Sequence, residues 1–326
     1  MKVLTAIFMP LLVAVIGLSG LGTNAHGQDY PNRPVRILVG YAPGGTPDNV
    51  ARTVGEALSK IFGQPFVVEH KPGAAGTLAT AAVARSPADG YTLLGGETGQ
   101  LEIAPNLLKE PPYDTLKDLT PISIVATTPV IFVSGPKTQI RTIKDLIREA
   151  KANPGKLNYG SAGIGSIHQI IFEAFNTAAG VKLTHIPFKG GPAIIPALLA
   201  GDVQVMLSVP AVLNAQRQAG TINLLGVSSI ERFPFTPDAP SISDDLKGFE
   251  FASETGILAP AGLPPELLAK LSRALKTASE TPEMQDRFRK LALLLTWTTP
   301  DAYRERIRQN LKKYGEILRT SNITAN

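Results

Sequence analysis

Short apolar runs of strand length alternate with segments of helical periodicity in the first part of this chain. A strand is predicted at 35–41 and a helix at 47–62. Within that helix Val50, Val54 and Leu58 repeat at helical spacing. A strand at 66–69, a helix at 75–85 and a strand at 91–94 follow. Alternation of this kind predicts a parallel sheet with helices on both faces.

Two long apolar segments bound a second series of strands and helices. The first, at 121–134, contains Pro129 and is long for one strand, and the second spans 249–259. Both are therefore predicted to cross between two domains. Between them the pattern predicts helices at 142–152, 167–179 and 192–200 and strands at 157–160, 182–186 and 203–208.

The rest of the chain, at 264–319, is predicted to be helical in three pieces that Pro282 and Pro300 separate. Together with the two crossings, this pattern predicts an α/β fold of two lobes with a cleft between them. Lobe 1 comprises 28–127 and 254–326, and lobe 2 comprises 128–253.

Residues 1–25 have the composition of a cleavable secretory signal peptide. Lys2 supplies the charge, residues 4–18 are apolar but too short for a stable membrane span, and Thr23-Asn24-Ala25 supplies small residues for cleavage. Cleavage after Gly27 and an uncleaved anchor are the alternatives. No other stretch is apolar enough to cross a bilayer, so we expect an exported, soluble protein.

Composition and histidine spacing exclude several kinds of chemistry. The chain has no cysteine, which excludes thiol catalysis and cysteine-ligated metals. The net charge of +5 is mild and no basic run interleaves with aromatic residues, so nucleic acid is not an expected partner. His70, His168 and His185 lack the spacing of metal ligands. We therefore predict no metal and no cofactor.

Four predicted strand-to-helix loops consist largely of glycine and small polar residues. They are loop 1 (43–46), loop 2 (95–100), loop 3 (160–166) and loop 4 (188–191). Glycine lets the backbone approach a ligand, and a helix N-terminus offers free N–H groups and a partial positive charge. Ligands of open α/β sheets bind beyond the carboxyl ends of the strands. The loops therefore predict a cleft that binds a compact anion.

The starts of two helices carry recognisable capping residues. Thr46 is the predicted N-cap after loop 1, with Pro47 at the first helical position. Asp48 in that first turn either favours the helix N-terminus or faces the ligand. Loop 3 enters its helix through a predicted capping box, with Ser166 at the N-cap and Gln169 three residues later.

Motifs typical of enzymes are incomplete in this sequence. Gly44-Gly45 is not followed by the Lys-Ser/Thr of a phosphate-binding P-loop. Ser134 and Lys137 have the spacing of penicillin-recognising enzymes, but Pro136 would disrupt the required helix and no Lys-Thr-Gly follows. Ser161 lacks the leading glycine of a nucleophile elbow. We therefore predict a protein that is not an enzyme.

Six segments of the sequence carry a resemblance to one known family. They are Tyr30-Pro31-Asn32-Arg33-Pro34-Val35-Arg36, Ala42-Pro43-Gly44-Gly45-Thr46-Pro47-Asp48, Val68-Glu69-His70-Lys71-Pro72-Gly73-Ala74, Asn158-Tyr159-Gly160-Ser161-Ala162-Gly163, Pro187-Phe188-Lys189-Gly190 and Leu258-Ala259-Pro260-Ala261-Gly262. Because these segments occur together and in this order, the chain resembles the periplasmic solute receptors of the tripartite tricarboxylate transporter type, often called Bug receptors. The resemblance implies a two-lobed, type II periplasmic-binding fold that closes around a small carboxylate.

The resemblance also implies a set of ligand-binding residues. In such receptors loops 1 to 3 hold the carboxylate through backbone amides, small hydroxyl groups and bridging waters. The corresponding residues here are Pro43, Gly44, Gly45, Thr98, Gly99, Ser161, Ala162 and Gly163. The candidate set is completed by Tyr41, Asp48, Ser166 and Ser208 and by the acidic residues Glu97 and Glu254.

Two of these candidates depart from the family pattern. Glu97 stands where neutral polar residues are usual, and Glu254-Thr255 replaces a common aromatic pair. Two carboxylates in a cleft would repel a ligand dianion by about 1 kcal/mol or more each. Either the ligand has a cationic or hydrogen-bond-donating end, such as an amine or amide, or both glutamates pair with lysine or arginine and a dicarboxylate still fits.

These observations predict a monomeric, non-catalytic receptor in the periplasm. It would capture a small organic carboxylate and present its closed form to the permease subunits of a membrane transporter. A receptor that passes ligand occupancy to a membrane kinase is the alternative. An exported hydrolase or transferase on the same frame is a further alternative, although the sequence offers no convincing pair of nucleophile and base.

Overall fold

The computed structural model describes residues 30–189 and 191–324, which form two β-sheets flanked by helices. The strands are β1 (Val35–Val39), β2 (Phe66–His70), β3 (Thr92–Glu97), β4 (Leu119–Pro129), β5 (Ile131–Ser134), β6 (Asn158–Ser161), β7 (Thr184–Pro187), β8 (Val205–Ser208), β9 (Asn223–Val227), β10 (Ala252–Pro260) and β11 (Leu294–Leu295). The predicted signal peptide at 1–25 lies outside the described residues.

The helices confirm the predicted alternation and the three-piece tail. They are α1 (Thr46–Phe62), α2 (Thr77–Ala84), α3 (Ala104–Leu107), α4 (Thr115–Asp118), α5 (Ile143–Ala152), α6 (Ile167–Ala179), α7 (Ile194–Ala200), α8 (Pro210–Gln218), α9 (Pro265–Ser279), α10 (Pro282–Lys290) and α11 (Pro300–Thr320). A π-helical turn spans Gly99–Ile103, and 3₁₀ turns span Ala74–Gly76, Gly191–Ala193 and Ile242–Asp244. Within the described chain, no helix has both the length and the apolar character that a membrane span requires.

The first sheet has the strand order β11-β4-β10-β3-β1-β2. Strands β1, β2 and β3 are parallel, as predicted, but β10 is antiparallel to both β3 and β4. The prediction from 35–94 is therefore confirmed, and β10, predicted only as a crossing segment, makes the sheet mixed. The reason is topological: β4 leaves this sheet towards the second one, and β10 returns from there, so the two run in opposite directions.

The second sheet has the strand order β7-β6-β8-β5-β9. Strand β6 is parallel to β7 and β8, whereas β5 is antiparallel to β8 and β9. The predicted crossing at 121–134 is two strands, β4 and β5, that belong to different sheets and meet at the buried Val130. Pro129 is the last residue of β4 and lies opposite Ala252 at the end of the ladder with β10.

Ser228 ties the two crossing segments together. Its hydroxyl group accepts a hydrogen bond from the Val130 N–H at 3.0 Å and donates one to the Phe251 carbonyl at 2.6 Å. Its own N–H donates to the Val130 carbonyl at 2.9 Å, and its carbonyl accepts from the Phe251 N–H at 3.0 Å. Ser228 is fully buried. Ser228 thus links the outgoing and returning chains just beyond the end of the β4–β10 ladder.

Helix α11 packs against both sheets. Near its start, Tyr303 and Ile307 lie in the hydrophobic core under the first sheet. Towards its end, Tyr314 and Leu318 lie in the core of the second sheet, and so does Ile323 beyond the helix. The C-terminal segment therefore connects the two units a third time, without a strand.

The predicted lobe boundaries at 127/128 and 253/254 stay a prediction.

Substitution of Ser228 by alanine is expected to lower the free energy of unfolding by about 1–3 kcal/mol, because two side-chain hydrogen bonds are lost in a buried site. Ser134 is a matched control: it is fully buried, donates to the Ile140 carbonyl and accepts from Asn223 Nδ2, at the end of β5 that is away from Val130. Both alanine variants should be destabilised in urea. Only Ser228→Ala should speed hydrogen exchange of the Val130 amide, and unchanged exchange there would contradict the role of Ser228.

Candidate functional site

Loops 1 and 2 lie at the carboxyl ends of the neighbouring strands β1 and β3, and loops 3 and 4 lie at the carboxyl ends of β6 and β7. A hydrogen bond from the Phe188 N–H to the Ser161 carbonyl, at 2.9 Å, joins loop 4 to loop 3. Within loop 4, Gly190 lies outside the described residues. Each sheet thus contributes one pair of adjacent loops, as the sequence predicts.

Asp48 holds the backbone of loop 1 in place. Its Oδ2 accepts a hydrogen bond from the Gly44 N–H at 2.8 Å, and its Oδ1 lies 2.7 Å from His70 Nε2 and 2.9 Å from Arg52 Nε. Burial raises the pKa of this carboxyl, but the bonds from Gly44, His70 and Arg52 outweigh burial and hold the pKa below its usual value. Both of its oxygens are thus engaged within the protein, and its part in ligand binding stays a prediction.

Helix α1 begins without a side-chain cap. The prediction of Thr46 as N-cap is wrong by one residue: Gly45 is the N-cap, with φ −77° and ψ 171°, and Thr46 is the first helical residue. The N–H groups of Gly45 and Thr46 donate to no described residue. Pro43, Gly44 and Gly45 are exposed. Two free amides therefore remain where the helix dipole favours an anion.

Strand β3 extends to Glu97, so the prediction that loop 2 begins at residue 95 is wrong. The carboxylate of Glu97 is held by neutral donors alone. Its Oε2 accepts from the Tyr41 hydroxyl and the Gly99 N–H, each at 3.0 Å, and its Oε1 accepts from the Ser253 hydroxyl at 2.6 Å. Glu97 is half-buried. It forms no ion pair with any residue that the structure describes, so of the two alternatives the pairing with lysine or arginine does not hold for Glu97.

Thr98 joins β3 to the returning strand β10. Its Oγ1 accepts from the Glu254 N–H at 2.9 Å and lies 3.5 Å from the Glu254 carbonyl oxygen. Only 1% of Thr98 is exposed. Its hydroxyl is therefore engaged by the backbone of β10, and its contact with a ligand stays a prediction.

Glu254 lies on the other face of β10 from Ser253, because adjacent strand residues alternate between faces. Its Oε1 lies 3.7 Å from Arg306 Nε, and its Oε2 is buried without a hydrogen-bond partner. Burial raises the pKa of Glu254, while Arg306 opposes the change. Glu254 lines a cavity of about 290 Å³ between β4, β10 and α11, together with Arg306 and Lys313. The two glutamates therefore do not share one site.

Loop 3 is held in its turn by the side chain of Ser161. Its Oγ donates to the Gly163 carbonyl at 3.0 Å and accepts from the Gly163 N–H at 3.1 Å. Gly163 has φ +125°, a conformation that other residues rarely adopt. Ser161 is fully buried, whereas Ala162 is partly exposed. Among these candidates the residues at the surface of the loop are Ala162 and Gly163.

The start of α6 confirms only half of the predicted capping box. Ser166 is the N-cap and accepts from the Gln169 N–H at 3.4 Å. The Gln169 side chain bonds the Gly165 N–H at 2.7 Å instead of that of Ser166. Gly165, at φ +73°, is one residue outside the cap, so the returning bond reaches one residue further into loop 3.

Ser161 and His185 form a contact that the sequence does not reveal. Ser161 Oγ lies 2.5 Å from His185 Nε2, and the imidazole stacks on Tyr159. Burial lowers the pKa of His185, with Glu173 opposing the change. No described carboxylate bonds to this imidazole, and Ser161 has no exposed surface. A nucleophile needs access to its substrate, so this pair does not have the arrangement of a catalytic Ser-His dyad.

Two further residues lie near loops 3 and 4. Ser208 is 5% exposed and ends β8, beside Ile131 of β5. His168 lies in the first turn of α6, and its Nδ1 is buried without a partner. Burial lowers the pKa of His168 to about 4. His168 is therefore a neutral imidazole at neutral pH.

The two sheets also meet outside the crossings. Leu107 of α3 packs directly against Gly165 of loop 3, so closely that a Cβ at position 165 would overlap its side chain. Helix α3 follows the π-helical turn that begins at Gly99. Loops 2 and 3, from different sheets, are thus connected by one short run of chain and one contact.

The structure therefore gathers the predicted residues into separate groups. Tyr41, Glu97 and Gly99 form one cluster with Ser253. Ser253 was not among the residues predicted from the sequence. Alternation along 252–260 was the available signal, because it places Ser253 on the face opposite Glu254. Among the described residues there is no group of three or more His, Cys, Asp or Glu side chains that could hold a metal ion.

Two mixed β-sheets flanked by helices and joined by two crossing segments are the fold of two-lobed periplasmic binding proteins. A sequence model of the family described as "Tripartite tricarboxylate transporter family receptor" matches residues 50–323. The chain belongs to this family, whose members are periplasmic solute-binding proteins.

Known proteins similar to this chain agree with that assignment. BugT of Bordetella pertussis is 32% identical over 322 residues, which cover 95% of this chain and 97% of BugT. The solved periplasmic binding protein BugD is 31% identical, with a TM-score of 0.75 over 91% of this chain and 100% of BugD. The R. palustris protein Rpa4515, solved with adipate, is 28% identical, with a TM-score of 0.78 over 91% of this chain and 99% of its own.

Substitution of Asp48 by asparagine is expected to lower the free energy of unfolding by about 1–3 kcal/mol at neutral pH. Because the folded state holds the pKa of Asp48 below its unfolded value of about 3.9, the ionised carboxylate stabilises the fold above that pH. This stability is lost as the pH falls through the folded pKa. Urea unfolding between pH 3 and 7 should show a difference in the free energy of unfolding between the wild type and Asp48→Asn. This difference should narrow only below about pH 4.

Glu69→Gln is the control for this experiment. Glu69 pairs with Arg36 at 3.4 Å, and both side chains are about half exposed. Loss of an exposed pair changes stability by less than about 1 kcal/mol. A gap between wild type and Asp48→Asn that stays constant down to pH 3 would refute the stabilising role of the Asp48 carboxylate.

Proposed function

We propose that this protein captures a small organic carboxylate between two lobes and delivers it to the permease subunits of a tripartite tricarboxylate-type membrane transporter. The observation that carries the proposal is the pair of free amides of Gly45 and Thr46 at the exposed start of α1. Helix N-termini of this kind bind carboxylates without a permanent counter-charge. Adipate in Rpa4515, a similar receptor, supports a carboxylate ligand.

In this proposal the lobes are 28–127 with 254–326, and 128–253. Their hinge is the junction of Val130, Ser228 and Phe251, where both crossing segments are hydrogen-bonded to Ser228. Closure about this junction brings loops 1 and 2 towards loops 3 and 4. The candidates of loop 3, which are Ser161, Ala162, Gly163 and Ser166, then act from the second lobe together with Ser208.

Export is part of the proposed function. The chain carries a signal peptide at 1–25 by composition, and the family consists of periplasmic binding proteins. N-terminal sequencing of the protein recovered from the periplasm should begin near residue 26 or 28. Recovery of the full chain from the membrane would instead indicate an uncleaved anchor.

Thermal unfolding of the exported protein tests carboxylate binding directly. A ligand at a hundredfold excess over its Kd adds about 2.7 kcal/mol of stability, which raises Tm by several degrees. The panel comprises mono-, di- and tricarboxylates, aromatic carboxylates, amino acids and their amides. Absence of any shift across this panel would refute a small-carboxylate receptor.

Gly45→Pro is expected to weaken carboxylate binding about tenfold or more, because proline removes one free N–H donor to a charged group. The backbone of Gly45, with φ −77°, suits proline, and its N–H makes no bond to a described residue. Gly45→Ala keeps the N–H and is the matched control, since a Cβ there approaches no atom closer than 3.8 Å. Equal affinities of the two variants, measured by calorimetry, would refute the role of this amide.

Transport and sensing can be separated in the source organism. Deletion of the gene should abolish uptake of the radiolabelled ligand while leaving ligand-dependent transcription intact. The converse result, normal uptake with lost transcription, would replace the transport proposal by a sensing receptor.

A further inference from the structure

Glu97 ends β3 and carries a negative charge that no cation of the described chain pairs with. Its donor Tyr41 lies two residues before loop 1, where the proposed function places the ligand. All of its hydrogen bonds come from neutral groups: the Tyr41 hydroxyl, the Ser253 hydroxyl and the Gly99 N–H. Burial and the Glu97 carboxylate together raise the pKa of Tyr41, so the Tyr41 hydroxyl stays protonated and acts as a donor. These donors stabilise the carboxylate without cancelling its charge.

Other charges of the described chain do not compensate Glu97. The nearby Glu102 is almost fully buried; burial raises its pKa, Glu254 and Glu97 raise it further, and Asn310 donates to it. Arg306 pairs with Glu254 on the other face of β10. Asp48 differs from Glu97 in this respect, because Arg52 and His70 contact it. The negative charge at the loops of the first sheet is therefore that of Glu97.

The protein's own carboxylates also occupy donors that a second ligand carboxylate would need. The Gly99 N–H donates to Glu97 and the Gly44 N–H donates to Asp48. The Thr98 hydroxyl is engaged by the backbone of β10. A second carboxylate of the ligand would therefore meet a like charge there, with these three donors already used.

A hydrogen-bond donor of the ligand finds a better partner at the same place. A carboxylate offers about four acceptor positions on its two oxygens, and the described residues fill three of those on Glu97. The remaining position accepts an N–H. A charge-assisted bond to an ammonium or amide group is stronger than a bond between neutral groups.

We propose that the ligand is a carboxylate that also carries an ammonium or primary amide group, and that Glu97 selects this group. This proposal rests on the proposed function. The ligand carboxylate binds the free amides of Gly45 and Thr46, and the N–H group of the ligand binds Glu97. Glu254 has no part in this selection.

Calorimetry with matched ligands tests the selection by Glu97. Each series keeps the chain length and one carboxylate and changes only the other end: succinate, succinamate and 4-aminobutyrate, then glutarate, glutaramate and 5-aminopentanoate. The exported wild-type protein should bind the amide or ammonium member of one series about tenfold or more tightly than the dicarboxylate. This comparison needs no variant, so it does not depend on whether a substituted chain folds.

Glu97→Gln is expected to reverse the order, with weaker binding of the ammonium ligand and tighter binding of the dicarboxylate. Glu250→Gln removes an exposed carboxylate outside the four loops and should leave the order unchanged. The selection by Glu97 would be overturned if the wild type bound the dicarboxylate at least as tightly as the amide and ammonium ligands, and if Glu97→Gln showed the same order. The receptor function would still stand. If no carboxylate of either series or of the wider panel bound to the wild type, the proposed function would be refuted instead.

Discussion

The hydrogen bonds of one buried serine link the two chain segments that cross between the sheets. Ser228 bonds Val130 on the outgoing chain and Phe251 on the returning chain, with both its backbone and its hydroxyl group. Because these bonds are shielded from water, breaking any of them leaves a buried polar group unsatisfied. Movement of one sheet relative to the other is therefore expected to pivot about this residue, where the two crossing chains cannot slide past each other. Helix α11 and the contact of Leu107 with Gly165 add further links between the two units.

Much of the fold could be predicted from the sequence because its signals are local. The helix predicted at 167–179 coincides with α6, and Pro282 and Pro300 begin α10 and α11. The direction of β10 could not be predicted in this way, because it depends on which sheet the chain comes from. Strand β9 and helix α8 were missed, since both are short and lie in a stretch of 210–248 without a clear alternation. Local patterns thus identify elements, whereas strand direction follows from long-range topology.

The candidate site could be predicted less completely, because the residue types in a loop do not show which donors are already used. Glycine at 44 and 99 indicates accessible backbone, yet both N–H groups bond carboxylates of the same chain. Ser161 is a small hydroxyl residue in loop 3, but its hydroxyl holds the loop itself. The sequence therefore locates the loops well. Which atoms remain free for a ligand follows only from the three-dimensional contacts.

Glu97 and Glu254 illustrate the same limit with a functional consequence. In the sequence Glu97 and Glu254 are equivalent, and each is either paired or exposed to the ligand. In the structure each follows one alternative: Glu254 approaches Arg306 on the far face of β10, and Glu97 is held by neutral donors beside loop 1. A carboxylate that fills the protein's own amide donors acts in two ways at once, because it removes donors from a competing anion and offers an acceptor to an N–H group. Under the proposed selection by Glu97, a single residue therefore changes selectivity while the loops proposed to bind the first carboxylate stay the same.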